Sequence, residues 1–303
     1  MRFRFIHRHR ERWPLWILCK VMQVKRSGYH SFVRREENRR EKARVDEQLS
    51  QKCRKIWSDS NKTYGLRRIQ GDLRNEGTLV GKSRLRRILK AHGITGLQRK
   101  RFRCLTDRHP RHARAQDWVN REFLPQSPNR IWASDITYVP TAEGFLYLAV
   151  VLDLFGRRVV GWCIHDRQDK SIVLNALKMA RRNRKIDWAG FELVHHSDLG
   201  CQYTSETFRR ALLEAGIRSS MGRRGCCYDN AVVESFFGTL KHECVHGRRF
   251  QTREEAKKVL FSWMEGFYNN RRLHSTLGYL SPVAFENQWE RSKVREECEF
   301  LAA

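Results

Sequence analysis

From residue 129 onward the apolar residues change rhythm, and that rhythm limits the fold more than any other feature of the chain. Residues 130–139, Phe145–Asp153 and Arg158–Ile164 read as strands, parted by the turns Glu143-Gly144 and Phe155-Gly156-Arg157. Three strands with short turns predict an antiparallel meander. Helical spacing follows at 170–183, with Ile172, Ala176, Met179 and Ala180 on one side. Phe191–His195 is a fourth strand. Phe208, Ala211, Leu212 and Ala215 mark a helix that Gly216 ends. Ile217–Met221 is a fifth strand, and a Gly/Arg/Cys loop leads to a last helix over 229–241. The order β-β-β-α-β-α-β-α predicts an α/β layered fold.

The part before this core is built differently. Residues 1–130 hold 35 Lys+Arg against 12 Asp+Glu, whereas 131–303 hold 25 against 21, so nearly all of the net +27 charge lies in front. A polycation of this kind predicts a polyanionic partner, because Lys and Arg on phosphates release counterions. Within 1–44, Trp16–Met22 suggests one helix, Ser27-Gly28 a break, and Tyr29, Phe32 and Val33 another. Residues 45–98 place Val45, Leu49, Cys53 and Ile56, then Leu66, Ile69 and Leu73, then Leu85, Ile88 and Leu89 at helical spacing. Three short helices predict a helix-turn-helix module. Ser83 is the expected cap of the last, and Arg84, Arg86, Arg87 and Lys90 lie mostly off its apolar stripe. They are either DNA contacts or a solvated basic face. Residues 99–128 form a basic linker, and 247–303 read as helix, loop, helix, with Val259, Trp263, Phe267 and Tyr268 at helical spacing.

No apolar run reaches the roughly 18–20 residues of a membrane span, and the N-terminus lacks the apolar core of a signal peptide. A cytoplasmic protein is expected. The nine cysteines are scattered without a CxxC, as reduced structural thiols are; Cys226, Cys227, Cys244 and His246 have poor spacing for zinc.

Three acids stand out by context. Asp135 interrupts the apolar run Ile131-Trp-Ala-Ser-Asp-Ile-Thr-Tyr-Val139, where a lone carboxylate is costly. Asp198 ends the fourth strand run. Glu234 lies on the last helix of the core, with 35 residues between it and Asp198. Clustered hard oxygen ligands are what divalent-metal catalysis on a phosphodiester requires, and Mg²⁺ needs only a few carboxylates. The triad predicts two Mg²⁺ ions, with Mn²⁺ as a substitute. Asp135 would bridge them while Asp198 and Glu234 each hold one.

Neighbouring residues carry two readings each. Lys241, two helical turns past Glu234, binds a phosphate or is a surface lysine. Asn230, one turn before Glu234, orients it, touches DNA or satisfies its own backbone. Gln202 and Tyr203, in a loop after Asp198, are expected to meet the substrate strand. Arg223 and Arg224 grip DNA from a Gly-bounded loop, unless that loop is merely mobile. His195 and His196 are partners of the acids or core histidines.

The strand and helix order resembles the ribonuclease-H-like core of polynucleotidyl transferases, in which the first and fourth strands lie side by side and a late helix crosses them. The blocks His196-Ser-Asp-Leu-Gly-Cys-Gln-Tyr203, Asp229-Asn-Ala-Val-Val-Glu234 with Lys241, and Tyr268-Asn-Asn-Arg-Arg-Leu-His274 through Ser281-Pro282 go further. With Trp132-Ala-Ser-Asp-Ile-Thr-Tyr138 and Tyr64-Gly-Leu-Arg-Arg-Ile69, they resemble the insertion-sequence-3 family of bacterial transposases. That family has an Asp-Asp-Glu triad and belongs to the retroviral-integrase superfamily. The resemblance covers essentially the whole chain. It implies a DNA transposase that hydrolyses a strand at the ends of an insertion sequence and uses the freed 3′-hydroxyl to attack another phosphodiester. It also implies Arg271, Arg272 and His274 as further DNA contacts, and a homo-oligomer on the terminal repeats and target DNA. A small upstream-frame helix-turn-helix protein is the expected partner or fusion, and the setting is the bacterial nucleoid. The expected organisation is a basic helical arm (1–44), a helix-turn-helix domain (45–98), a linker (99–128), a ribonuclease-H-like integrase core (129–246) and a helical C-terminal extension (247–303). A structure-specific nuclease of the same fold and a non-catalytic DNA-binding regulator are the alternatives.

Overall fold

The computed structural model describes residues 1–97, 125–184, 192–198, 200–221 and 231–301. They fall into two compact units, Met1–Gly96 and Leu97–Ala303.

The first unit is all helical: α1 (Arg2–His9), α2 (Leu15–Val21), α3 (Arg26–Asp59), α4 (Leu66–Asn75) and α5 (Lys82–Ala91). Helix α1 is not evident in the sequence, where its arginines hide a single fully buried residue, Ile6. It packs with Leu18, Cys19 and Tyr29 into a small core. The expected break at Ser27-Gly28 does not occur. Helix α3 starts at Arg26 and runs on for 34 residues. Ser27 and Gly28 sit in its first turn, where little intrahelical bonding is lost, and Gly28 leaves room for the Phe3 ring, 3.1 Å from where a Cβ would stand. Residue 45, expected to open a new module, is therefore mid-helix. Leu49, Cys53 and Ile56 of α3, Ile69 and Leu73 of α4, and Leu85, Ile88 and Leu89 of α5 are the buried stripes of a three-helix cluster. Asp46 ties α5 to α3 by accepting from Arg84 and Arg87, each at 2.7 Å. Ser83 is not the cap of α5; Gly81 holds that place and Ser83 lies within the helix.

The second unit is built on a sheet of order β3-β2-β1-β4-β5, from β1 (Ile131–Thr141), β2 (Gly144–Asp153), β3 (Arg158–His165), β4 (Val194–Ser197) and β5 (Arg218–Met221). The first three strands form the antiparallel meander. Strand β4 joins β1 in parallel, and β5 joins β4 in parallel. Helix α6 (Lys170–Arg184) packs on β2 and β3, and α7 (Glu206–Glu214) lies on the same side. Their apolar faces close over Trp132, Ala149, Val151 and Val160. Gly161 permits the close approach of α6, since a Cβ there would strike the Ala176 carbonyl and stand 2.7 Å from the Ala180 nitrogen. Helix α8 (Ala231–Leu240) packs on β1 and widens into a π-helical turn at Lys241–Val245.

The C-terminal segment is stitched to β3. Helix α9 (Arg253–Phe261) passes into a π-helical stretch, Ser262–Asn269, and α10 (Pro282–Leu301) ends the chain. Asn269 uses its carboxamide as a strand would use its backbone: its oxygen accepts from Val159 N and its nitrogen donates to Val159 O, both at 3.0 Å. The Tyr268 hydroxyl donates to the Arg157 carbonyl, and the Trp162 indole to Glu265. Glu286 of α10 is buried and accepts from Arg158 (2.8 Å) and Arg184 (2.6 Å); Arg184 also reaches buried Asp153 (3.0 Å). Two buried carboxylates are thus matched by two arginines, as charges withdrawn from water require.

Candidate active site

Each acid of the triad is placed by ordinary packing. Strand β1 is held from both sides, so its register is fixed: Asp135 faces Val150 of β2, and Ser134 is level with Ser197 of β4. Asp135 is the next residue of β1, and Asp198 is the first residue past the end of β4. Glu234 arrives from α8, whose Val233, Phe236, Phe237 and Leu240 are buried.

Asp135 is half-buried, and its carboxyl is pushed up to about 6. Burial is the main cause, and the charges of Asp198 and Glu234 add to it; the Ile136 N–H, donating at 2.7 Å, and the Lys241 cation work the other way. Four of the expected residues therefore share one electrostatic neighbourhood. Asp198 and Glu234 are exposed, and Asp198 accepts from Gly200 N at 3.0 Å. Among the described residues no three His, Cys, Asp or Glu side chains close into a metal cage; the acids sense one another without converging on a point. The Lys241 ammonium lies over the Tyr138 ring, 5.0 Å from its centre.

Behind the acids is a buried polar layer. His195 is wholly buried, its pKa lowered to about 3 by burial and the adjacent His196, so its ring is neutral. Its Nε2 meets Ser134 Oγ at 2.8 Å, and His196 Nδ1 meets Ser220 Oγ at 3.1 Å. Both are core histidines that brace β4.

Other expected contacts fare differently. Tyr203 is 2% exposed, packed beside His195 and Phe208, so it does not meet a DNA strand; the turn after Asp198 folds inward and takes its ring into the core. Arg272 is 3% exposed and clamps Glu243 with two bonds of 2.7 Å. It joins the π-helical turn after α8 to the C-terminal loop and presents no fork to DNA. His274 meets Tyr268 edge to face, with ring centroids 5.0 Å apart. Gln202 is half-buried and donates to the Gln168 carbonyl at 3.3 Å. Arg86, Lys90 and Arg271 are exposed, as are the Asp46-bound Arg84 and Arg87. Arg223, Arg224 and Asn230 lie outside the described residues. The sequence reading missed Tyr138 beneath Lys241 and the Asp153–Arg184–Glu286 cluster. Asp153 carried the signal that singled out Asp135, an acid closing an apolar strand run. Arg272 and Glu243, 29 residues apart, carried none.

A mixed sheet of order β3-β2-β1-β4-β5 with helices packed on it is the fold of an integrase-type polynucleotidyl transferase. Family models agree: an integrase core domain matches residues 125–227, a second integrase core domain matches 234–289, and an HTH-like domain matches 44–102. The chain is 35% identical over 292 residues to the transposase InsF of insertion sequence IS3fB from Escherichia coli, covering 95% of this chain and 99% of that one. It is 39% identical over 274 residues to an uncharacterized 31 kDa protein of insertion element IS600 from Shigella sonnei, covering 90% and 99%. The chain belongs to the insertion-sequence-3 family of transposases, and its function is DNA transposition. Among solved structures, the HTLV-2 integrase catalytic core domain in complex with magnesium is similar at a TM-score of 0.40 and 18% identity, covering 53% of this chain and 98% of that one. A simian T-cell lymphotropic virus intasome chain gives 0.44 and 19%, covering 72% and 70%.

Proposed function

We propose that Asp135, Asp198 and Glu234 hold two divalent cations, Mg²⁺ with Mn²⁺ as a substitute, and that the chain uses them to cut and rejoin DNA at the ends of its insertion sequence. What supports this is that Asp135 of β1 and Asp198, just past the end of β4, directly follow the parallel pair Ser134–Ser197, with the Asp135 carboxyl made less acidic mainly by burial and further by the charges of Asp198 and Glu234. The donor set fits: hard carboxylate oxygens crowded enough to repel one another favour a small dication. When bound, such ions activate the attacking oxygen and stabilise the leaving one. Asp135, central in the sheet, would help to hold both ions, and Asp198 and Glu234 one each. Lys241 supplies positive charge at the phosphate beside the cut.

Arg86, Lys90 and Arg271, with Arg223, Arg224 and Asn230, are proposed DNA contacts. The helix-turn-helix region holds the duplex by its phosphates. An element has two ends and each chain has one triad, so two copies must act together on DNA. An upstream-frame helix-turn-helix protein, separate or fused, adds recognition of the terminal repeats. The test uses labelled DNA carrying the element's end, with Mg²⁺ or Mn²⁺, and compares wild type with Glu234→Gln. The expected result is a metal-dependent joined product that the variant loses. Hydrolysis without joining identifies a nuclease instead. DNA binding without any product, even with the upstream frame supplied, identifies a regulator.

A further inference from the structure

The HTH-like family model starts at residue 44, and ahead of it lies a small body with a core of its own. Helices α1, α2 and the start of α3 pack on one another around Ile6, Leu18, Cys19 and Tyr29, with Val24 and Val33 at the rim. The Tyr29 hydroxyl and His7 Nδ1, 3.2 Å apart, tie α3 to α1. Only residues 22–25 separate α2 from α3. The chain turns there through a left-handed residue, Gln23, at φ 53°. Gln23 N donates to Lys20 O at 3.2 Å and Val24 N to Cys19 O at 3.0 Å, which fixes the turn. Two helices joined by a turn this short, resting on a third, make the helix-turn-helix arrangement.

The second helix of that pair shows a polar face suited to bases. Arg26, His30 and Arg34 recur four residues apart and, with Ser27 and Ser31, are exposed on the side opposite Tyr29 and Phe32. Arginine offers a two-pronged donor to guanine O6 and N7, and serine and histidine are smaller donors and acceptors. Residues 1–35 hold ten Lys+Arg and one acid, Glu11. Arg2, Arg4 and Arg8 of α1 and Lys20 of α2 are exposed cations for phosphates.

Past this body α3 is bare. None of residues 34–45 is buried, and all but Ala43 and Val45 are polar, with the ion pairs Arg39–Glu36 and Arg44–Glu41 along the way. A helix that is polar all round bridges two bodies through solvent. From Tyr29 to Cys53, the buried anchors of the two, it advances about 36 Å. That is about the length of one DNA turn.

We propose that residues 1–35 are a second helix-turn-helix module, which lays the first turns of α3 in a DNA major groove and reads bases with Arg26 and Arg34. The module rests on the reading that the chain works at its element's ends, and it is independent of the triad. The bare stretch of α3 holds it about one helical turn along the duplex from the helices that follow.

The test uses the full chain, a duplex carrying the element's end and an unrelated duplex of equal length at the same salt. Binding is read by anisotropy and major-groove contact by protection of guanine N7 from methylation. Arg26→Lys/Arg34→Lys is compared with wild type and with Glu234→Gln. Lysine keeps the charge and loses the fork. The double variant should therefore melt with wild type and bind unrelated duplex equally well, while its preference for the element's end falls about tenfold or more. Wild type should protect guanines in two patches about one helical turn apart, and the double variant should lose one of them. Glu234→Gln should keep the full preference. Full preference in the double variant overturns the proposal, as does an equal loss on both duplexes or a wild type that binds the two alike. If the double variant loses preference while wild type neither cuts nor joins DNA, the module stands and the triad reading falls. If the double variant keeps its preference while Glu234→Gln abolishes joining, the triad stands and the module falls.

Discussion

Asp135 shows how far a single residue can be read. An acid inside an apolar β-rich run is visible in the sequence, because strand alternation leaves it nowhere to go but into the sheet. Its neighbours are not visible, since they come from the register of β1 on β4 and from α8. Tyr203 marks the limit: its loop looked exposed, and only the inward fold of the turn after Asp198 shows otherwise. The raised carboxyl of Asp135, about 6 against an ordinary 3.8, has a measurable consequence. A folded pKa above the unfolded one means stability that is present below the unfolded value and lost as pH rises through the folded value. Asp135→Asn removes that loss. In metal-free buffer the variant should melt higher than wild type at pH 8, with the gap closing near pH 4. Millimolar Mg²⁺ should then raise the melting temperature of wild type only. A variant that melts lower than wild type at pH 8 would show that the carboxylate is not strained.

At the scale of elements, the strands of the meander were legible because apolar, β-rich runs are parted by short Gly-bearing turns. The fourth strand was less so: its pairing with β1 and β5 carries it through Ser197, past the apolar residues that suggested it. Helix α3 was expected to begin after Ser27-Gly28, because a first-turn glycine resembles a break until Phe3 is seen beside it, and to be divided at residue 45, where a new module was expected. The anchoring of α10 was not legible at all, since Glu286 lies more than a hundred residues from Asp153, Arg158 and Arg184. Arg184 is the hinge of that cluster. Arg184→Met leaves two buried carboxylates with only Arg158, which is partly exposed, and should lower stability by about 3–5 kcal/mol at pH 8. Urea titration checks this. The deficit should narrow as pH falls through 6, because Asp153, pushed up to about 6 mainly by burial, then takes a proton. A loss independent of pH would mean that packing, not charge, holds α10.

Over the whole molecule, the concentration of charge in front was plain in the sequence: the helical unit Met1–Gly96 holds 26 Lys+Arg against 9 Asp+Glu, and the unit with the three acids, Leu97–Ala303, holds 34 against 24, much of that excess before residue 131. If the front contacts several phosphates, the logarithm of DNA affinity should fall linearly with the logarithm of salt, with a slope near −0.9 per phosphate neutralised. Filter binding or anisotropy across salt concentrations measures that slope. A flat response would remove the phosphate role from the front of the chain.

The Asn269 carboxamide closes the outermost strand of the meander by copying a missing neighbour. A polypeptide ended at 246, where the apolar rhythm suggests that the core is complete, would leave β3 with unanswered backbone donors and acceptors along its free side. Bare strand edges recruit other strands. The C-terminal segment therefore acts as a guard against aggregation, and the integrase core and its extension are one solubility unit.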